Sequence, residues 1–290
     1  MPSVIAAANK YPGTSEILFV DDASTDTSLE IAAKEFPELT IIARPVNGGF
    51  SATCNSGIEK ATGDVVFFLN TDVELTENFF SSFSKFFDNE DTFAVTVRAY
   101  HYDTKQPLDA IKKPRWKRGN LRVTENIFLD SAEPSKWYRS FCVQGAYFFA
   151  DRKKLNELEG FDELFSPYIF EETDLSYRAL QRGWKIYYDH DAVAYHQHNI
   201  TIASTAKAET VRKISIRNRL IFTWKNIQSV PLLLSHFFFL FVKLVTGNVI
   251  YWKATTEAWS KLPAILEKRR TLKRHRICSD KELIQEFQSS

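Results

Sequence analysis

Two continuous apolar runs, each ending in an acidic cluster, constrain this chain more than any other feature. Ile17-Leu18-Phe19-Val20 runs into Asp21-Asp22-Ala23-Ser24-Thr25-Asp26, and about 50 residues later Val65-Val66-Phe67-Phe68-Leu69 runs into Asn70-Thr71-Asp72. An uninterrupted apolar run of this length predicts a strand buried on both faces, the kind a parallel sheet uses. In open α/β sheets, ligands lie just beyond the carboxyl ends of the strands. Carboxylates and amides placed there suit ribose hydroxyls, a base edge, or a divalent cation that itself holds phosphates.

The pattern around these runs alternates. Residues 2–10 read as the end of a helix, closed by Tyr11-Pro12-Gly13. Ser24 or Asp26 caps a helix over 27–36, because their side-chain oxygens satisfy free N–H groups at its start. A strand is expected over 39–43, and Asn47-Gly48-Gly49-Phe50 turns into a helix over about 51–61. A helix over 77–87 and a strand over 93–99 follow. This alternation implies an α/β fold, a mostly parallel sheet with helices on both faces. From residue 100 to 139 the pattern weakens, and the basic stretch Lys112-Lys113-Pro114-Arg115-Trp116-Lys117-Arg118-Gly119 reads as a loop, either over the active face or plainly solvated. A strand over 141–151, a short helix over 152–158, a helix over 172–182 ended by Gly183, and strands over 184–188 and 192–195 complete the α/β part. After about residue 205 the chain reads as helices only.

Net charge is +1, but unevenly spread: residues 207–276 carry 15 Lys+Arg against 3 Asp+Glu. The same block holds the most apolar stretch, Val230 to Trp252. Basic and apolar character together point to an anionic membrane surface. Lys243 and Gly247 interrupt the stretch, which favours a helix lying in the interface over one that spans, with a buried hairpin or dimer contact as the structural alternative. Nucleic acid is not expected, because the basic residues accompany an apolar helix and no recognition motif. Three widely spaced cysteines, Cys54, Cys142 and Cys278, argue for a reducing compartment without disulfides or a zinc site. The first ten residues lack a charged leader before an apolar core, so no signal peptide is expected, and Asn199-Ile200-Thr201 is an unused glycosylation acceptor in a cytosolic chain.

Five blocks together resemble glycosyltransferase family 2, the inverting GT-A nucleotide-sugar transferases, and most of all its rhamnosyltransferase-like branch. They are Val20-Asp21-Asp22-Ala23-Ser24-Thr25-Asp26; Asn47-Gly48-Gly49-Phe50 through Asn55; Leu69-Asn70-Thr71-Asp72; Gly160-Phe161-Asp162-Glu163 with Phe170-Glu171-Glu172-Thr173-Asp174-Leu175; and Asp191-Ala192 through His196. The run Arg217-Asn218-Arg219-Leu220 is similar to the family's C-terminal extension. The resemblance implies a GT-A domain over 1–205 and a basic, apolar, membrane-associating helical extension over 206–290. It implies a donor site with Asp21, Asp22, Asn47, Asn70 and Thr71, and Mg²⁺ or Mn²⁺ held by Asp72 and His196. It implies Glu172 as the catalytic base, Glu171 as the fallback, and Asp174 placing the acceptor or bracing its helix. The expected reaction moves a sugar, rhamnose on the branch's pattern, from a UDP- or dTDP-sugar to a glycan or lipid-linked acceptor. The expected place is the cytoplasmic face of a bacterial plasma membrane.

Several of these residues carry a second reading. Asp26 caps a helix, Asp21 either binds ligand or caps a turn, His196 with His198 forms a surface pair or a ligand, and Asp174 favours a helix dipole. Glu171 and Glu172 point about 100° apart on a helix, so only one can face the site. The chain departs from the family pattern at Asn70, an amide where the first acid of the D-x-D motif is usual, and at Glu172, where Asp is more usual. The family's first strand and most of its first helix, before the Asp-Asp strand, have no counterpart here; an incomplete N-terminus with two exposed strand edges is the expectation, and with it a catalytically impaired sugar-nucleotide or glycan-binding remnant as the alternative function. A nucleotidyltransferase would show a Gly-rich basic phosphate loop, which this sequence lacks.

Overall fold

On a strand, successive side chains must point to opposite faces, and β10 (Tyr147–Asp151) sorts its residues in this way. Phe148 and Ala150 enter one core with Phe68, Ala94 and Ile186; Tyr147 and Phe149 enter another with Val95, Val97 and Tyr187. Two cores therefore sandwich one sheet. The computed structural model describes residues 1–133, 136–197 and 207–288. The elements before β10 are α1 (Pro2–Lys10), β1 (Leu18–Asp21), α2 (Ser28–Glu35), β2 (Thr40–Ala43), α3 (Phe50–Lys60), β3 (Val65–Leu69), β4 (Val73–Leu75), α4 (Ser84–Phe87), β5 (Thr92–His101), β6 (Pro107–Asp109), β7 (Ile111–Lys117), β8 (Asn120–Ile127) and β9 (Tyr138–Arg139). After it come α5 (Arg152–Glu157), α6 (Glu171–Gln181), β11 (Lys185–His196), α7 (Ala208–Asn226), α8 (Val230–Val245), α9 (Val249–Ser260), α10 (Leu262–His275) and α11 (Asp280–Glu286).

The main sheet has the order β3-β10-β5-β11-β4, with β6 on β5 and β9 on β11. Only β5 and β11 run parallel in it; the other ladders are antiparallel. The α/β class with a C-terminal helical region is as expected, but the sheet is mixed where a mostly parallel one was anticipated. β1 and β2 form a separate parallel pair. Among the described residues β1 pairs only with β2 and β3 only with β10, so each keeps an open edge. The burial follows: Phe68 alone of β3 and Asp21 alone of β1 are fully buried, short of the two-faced burial their apolar runs predict.

Three local expectations change. The helix over 77–87 breaks into a 3₁₀ turn at Phe79–Ser81 and the short α4. Phe79, Phe80 and Phe83 gather round Phe149, with ring centroids 5.7, 5.9 and 4.3 Å away, and this packing overrides the helical period. The segment 100–139 is largely strand: β5 extends to His101, β6 pairs back on it, and β7 and β8 form a hairpin with an irregular register at Pro114, which cannot donate to the ladder. The two last strands are one, β11, with a register break between Asp189 and Val193.

The boundary near residue 205 lies outside the described residues, as do His198 and Asn199-Ile200-Thr201. The helices beyond it share the main core: Ile216, Leu220, Phe222, Ala254 and Ile265 pack in one cluster with Phe148, Leu175 and Leu180. No helix among the described residues is long and apolar enough to cross a membrane. The apolar stretch from Val230 breaks at Gly247, whose φ of 70° suits glycine, and Asn248 then caps α9 through Tyr251 N–H.

Candidate active site

Sheet register alone brings Asp72 to His196. His196 pairs with Val73 across β4 and β11, and Gln197 N–H donates to the Asp72 carbonyl. Asp72 Oδ1 lies 3.4 Å from His196 Nε2, is buried, and accepts no hydrogen bond. A buried carboxylate oxygen without a donor is costly unless a cation meets it, and a carboxylate-imidazole pair suits Mn²⁺ and, less well, Mg²⁺. The residues thus fit the expected metal. Among the described residues no group of three or more His, Cys, Asp or Glu side chains is assembled for a cation, so a metal here would draw its remaining ligands from substrate and water.

Asn70 and Thr71 lie on the turn between β3 and β4, and Asn70 N–H is anchored to the Ala146 carbonyl. At the end of β1, Asp22 organises the Gly-rich turn. Its Oδ1 accepts from Arg44 Nε at 2.9 Å and Gly48 N–H at 3.0 Å, and its Oδ2 from Gly49 N–H at 2.8 Å. Asn47 Nδ2 donates to the Asp22 carbonyl. Asp21 accepts from Ser24 N–H, the turn-capping role that was its second reading, and Asp26 accepts from Ser28 N–H at the start of α2. Gly49 has φ 79°, and a Cβ there would stand 2.8 Å from the Pro167 carbonyl oxygen, so the close approach of this turn to the loop before α6 requires glycine.

Glu171 and Glu172 open α6 and face different ways. Glu171 is buried towards Cys54 of α3, and its Oε2 has no hydrogen-bond partner. Burial, and then the charge of Glu172, push its carboxyl up to about 8. Glu172 rests against the backbone of Gly145, where an added Cβ would lie 3.8 Å from its own. Burial also raises the Glu172 pKa, while Lys112 opposes the rise. Of the pair, Glu172 lies on the side of Gly145, Lys112 and Asp109, and Gly145 precedes Ala146, whose carbonyl anchors Asn70 N–H.

A polar cluster between these poles has no counterpart in the sequence reading. Asp109 Oδ1 accepts from Lys112 Nζ and Gln144 Nε2, each at 2.6 Å, and its Oδ2 accepts from the Tyr147 hydroxyl. The Tyr147 ring meets His196 edge-on at 5.5 Å. Asp109 therefore links Lys112, the ammonium beside Glu172, to the ring that packs on His196. Residues 107–112 carried no period-two signal, because Pro107 and Lys112 bound a short run with Asp109 inside it, and only the pairing of β6 with β5 brings Asp109 inward.

Asp174, expected to place the acceptor or brace its helix, lies in the first turn of α6. It is fully buried and bonded to Arg178 Nε, Lys225 Nζ and Asn226 Nδ2, each at 2.7 Å.

The family model for glycosyl transferase family 2 matches residues 2–158, more than half of the chain. The chain is a member of that family. It is 27% identical over 198 residues to mouse polypeptide N-acetylgalactosaminyltransferase 10, covering 63% of this chain and 33% of the relative. The chain thus spans about a third of the length of such curated relatives. The Escherichia coli protein YibD, an uncharacterized glycosyltransferase, is 41% identical over 63 residues, 21% of this chain and 18% of its own. Among solved structures, GalNAc-T7 with UDP, GalNAc and Mn²⁺ superposes with a TM-score of 0.58 at 16% identity, over 72% of this chain and 41% of that one. Staphylococcus aureus TarS 1-349 with UDP-GlcNAc superposes at 0.55 and 14% identity, over 99% of this chain and 87% of that one. These likenesses establish the GT-A fold.

Proposed function

We propose that this family 2 member is an inverting, metal-dependent glycosyltransferase that uses a UDP- or dTDP-sugar. The observation that carries the reading is Asp72 Oδ1, which accepts no hydrogen bond, beside His196, in a molecule where the Asp22-organised turn meets the loop before the Glu171-Glu172 helix. Asp72 and His196 would hold the cation, which supplies charge stabilisation for the departing diphosphate. Glu172 takes the proton of the acceptor hydroxyl as its oxygen attacks the anomeric carbon from the face opposite the diphosphate, and the sugar transfers with inversion. Asp109 keeps Lys112 and Tyr147 in place around that path.

The thermal midpoint of the purified protein should rise when UDP or dTDP is added with Mn²⁺, by the equivalent of about 2.7 kcal/mol at a hundredfold excess over Kd. The rise should need both components and should vanish in Asp72→Ala. A metal-dependent shift that persists in Asp72→Ala would sink the metal assignment. No shift in the wild type would favour the impaired remnant.

The acceptor is read as a glycan, lipid-linked at an anionic membrane surface. Support comes from α8, where Val230, Leu234, Phe238, Phe241 and Val245 recur on one face with Phe238 72% and Leu234 66% exposed. Exposed Trp252 and Trp259 continue that apolar surface on α9. Such a face, in a region that also carries the basic α10, suits a helix lying in a lipid interface. The protein should co-sediment with vesicles containing phosphatidylglycerol, and Phe238→Glu/Phe241→Glu should remove most of that binding without lowering the thermal midpoint. A monomer-dimer equilibrium abolished by the same pair, with no vesicle binding, would assign the face to a second copy instead.

A further inference from the structure

The segment that leads into the two glutamates is held in an unfavourable backbone conformation. Ile169 has φ 74° and Phe170 φ 84°, two consecutive side-chain-bearing residues in the left-handed region, the first of them β-branched. Such residues rarely adopt this conformation, and they keep it only where surrounding contacts impose it. The Phe170 carbonyl, next in line, accepts from Asp174 N–H, so the orientation of this pair sets the first turn of α6 and with it Glu171 and Glu172.

The imposing contacts come from α7, far away in sequence. Asn218 is completely buried, and its Nδ2 donates to the carbonyls of Phe165, Tyr168 and Ile169 at 2.6, 2.9 and 2.7 Å. Arg217 Nε donates to Asn218 Oδ1 at 2.9 Å, which turns the amide nitrogen towards the loop, and Arg217 Nη2 donates to the Ser166 carbonyl at 2.5 Å. The Arg219 guanidinium lies 5.6 Å from the centre of the Phe170 ring. Three consecutive side chains thus grip one loop. On its other flank the loop meets the Gly-rich turn, where Phe50 N–H donates to the Pro167 carbonyl.

We propose that Asn218, oriented by Arg217, is the positioning residue for the general base: it holds Ile169 and Phe170 left-handed and so fixes where Glu172 stands. The C-terminal helical region is then a working part of the active site, besides any role at a membrane. This inference rests on Glu172 being the base, and its test separates the two.

The test is carried out on full-length protein with glutamate selectively labelled with ¹³C at the side-chain carboxyl, titrated by NMR. In the wild type, burial raises the titration of both Glu171 and Glu172, that of Glu171 to about 8. In Asn218→Ala, below its thermal midpoint, release of the turn should let the pair reach water, and the raised titration should fall by at least about one pH unit. Where Asn218→Ala does not fold, Arg217→Gln frees the amide to rotate, and should give faster hydrogen exchange in 165–175 with exchange in β5 and β10 unchanged. An unaltered titration in Asn218→Ala, or in its place unaltered exchange of 165–175 in Arg217→Gln, overturns the proposal and leaves Asn218 a packing residue. If the titration falls as expected but Glu172→Gln still transfers sugar, the clamp stands and the base assignment falls.

Discussion

Glu172→Gln is expected to lower turnover by about 10²–10⁴-fold while leaving nucleotide binding and the thermal midpoint at or above wild-type values. The loss has the size that removing a general base gives. The folded state does not suffer, because glutamine fills the same space against Gly145 and carries no charge to desolvate. The sign of the pH dependence follows from burial, which raises Glu172 above its ordinary range. Activity needs the carboxylate, so it should climb as pH rises through that raised value. Stability moves the other way. Glu171 is pushed up to about 8 by burial, so between its unfolded value of about 4.5 and that point the native protein keeps a proton the unfolded chain has released. The unfolded state binds fewer protons there, and stability falls with rising pH across the window. Glu171→Gln should flatten that part of the stability profile. A Glu172→Gln protein with wild-type turnover would rule out this residue as the base.

Lys225→Met should have the largest effect on stability, about 3–5 kcal/mol, or a fall in thermal midpoint on the order of 5–10 °C. Lys225 is 1% exposed, with its ammonium 2.5 Å from Asp162 and 2.7 Å from Asp174. Burial opposes ionisation of Asp162, but Lys225 and Lys268 hold its carboxyl below the ordinary range. Methionine retains the volume and removes the charge, so both carboxylates would face an apolar interior with less compensation. Arg178 and Asn226 still serve Asp174, and Lys268 remains 3.3 Å from Asp162, which keeps the loss below that of two isolated charges. Because Asp174 lies in the first turn of α6, part of the damage should appear as lower turnover. Calorimetry of Lys225→Met beside Lys225→Met/Asp162→Asn measures the coupling: the double variant should recover part of the stability, and no recovery would mean that the pair is not the source of the loss.

The chemistry-bearing residues were legible in the sequence wherever a strand ends. Asp21, Asp22 and Asp72 each follow an apolar run, and alternation of strand and helix signals is enough to place such residues at the carboxyl ends of strands. The glutamate pair was legible through its helix, although its facing was not: two adjacent residues on a helix differ by about 100°, and only the packing of α6 sets Glu172 against Gly145 and Glu171 towards Cys54. Tertiary structure alone decided the rest. His196 reaches Asp72 because β11 pairs with β4, a register no local pattern encodes. Asp109 turns inward because β6 folds back on β5, across a stretch where prolines and lysines hide the strand period. Asp174 meets Lys225, and Asn218 bonds the loop before α6, because α7 packs into the core beside them. Periodicity is a property of neighbours along the chain, whereas hydrogen-bond partners 50 or more residues apart are selected by the packing of whole elements, and in this protein that packing assembles the site.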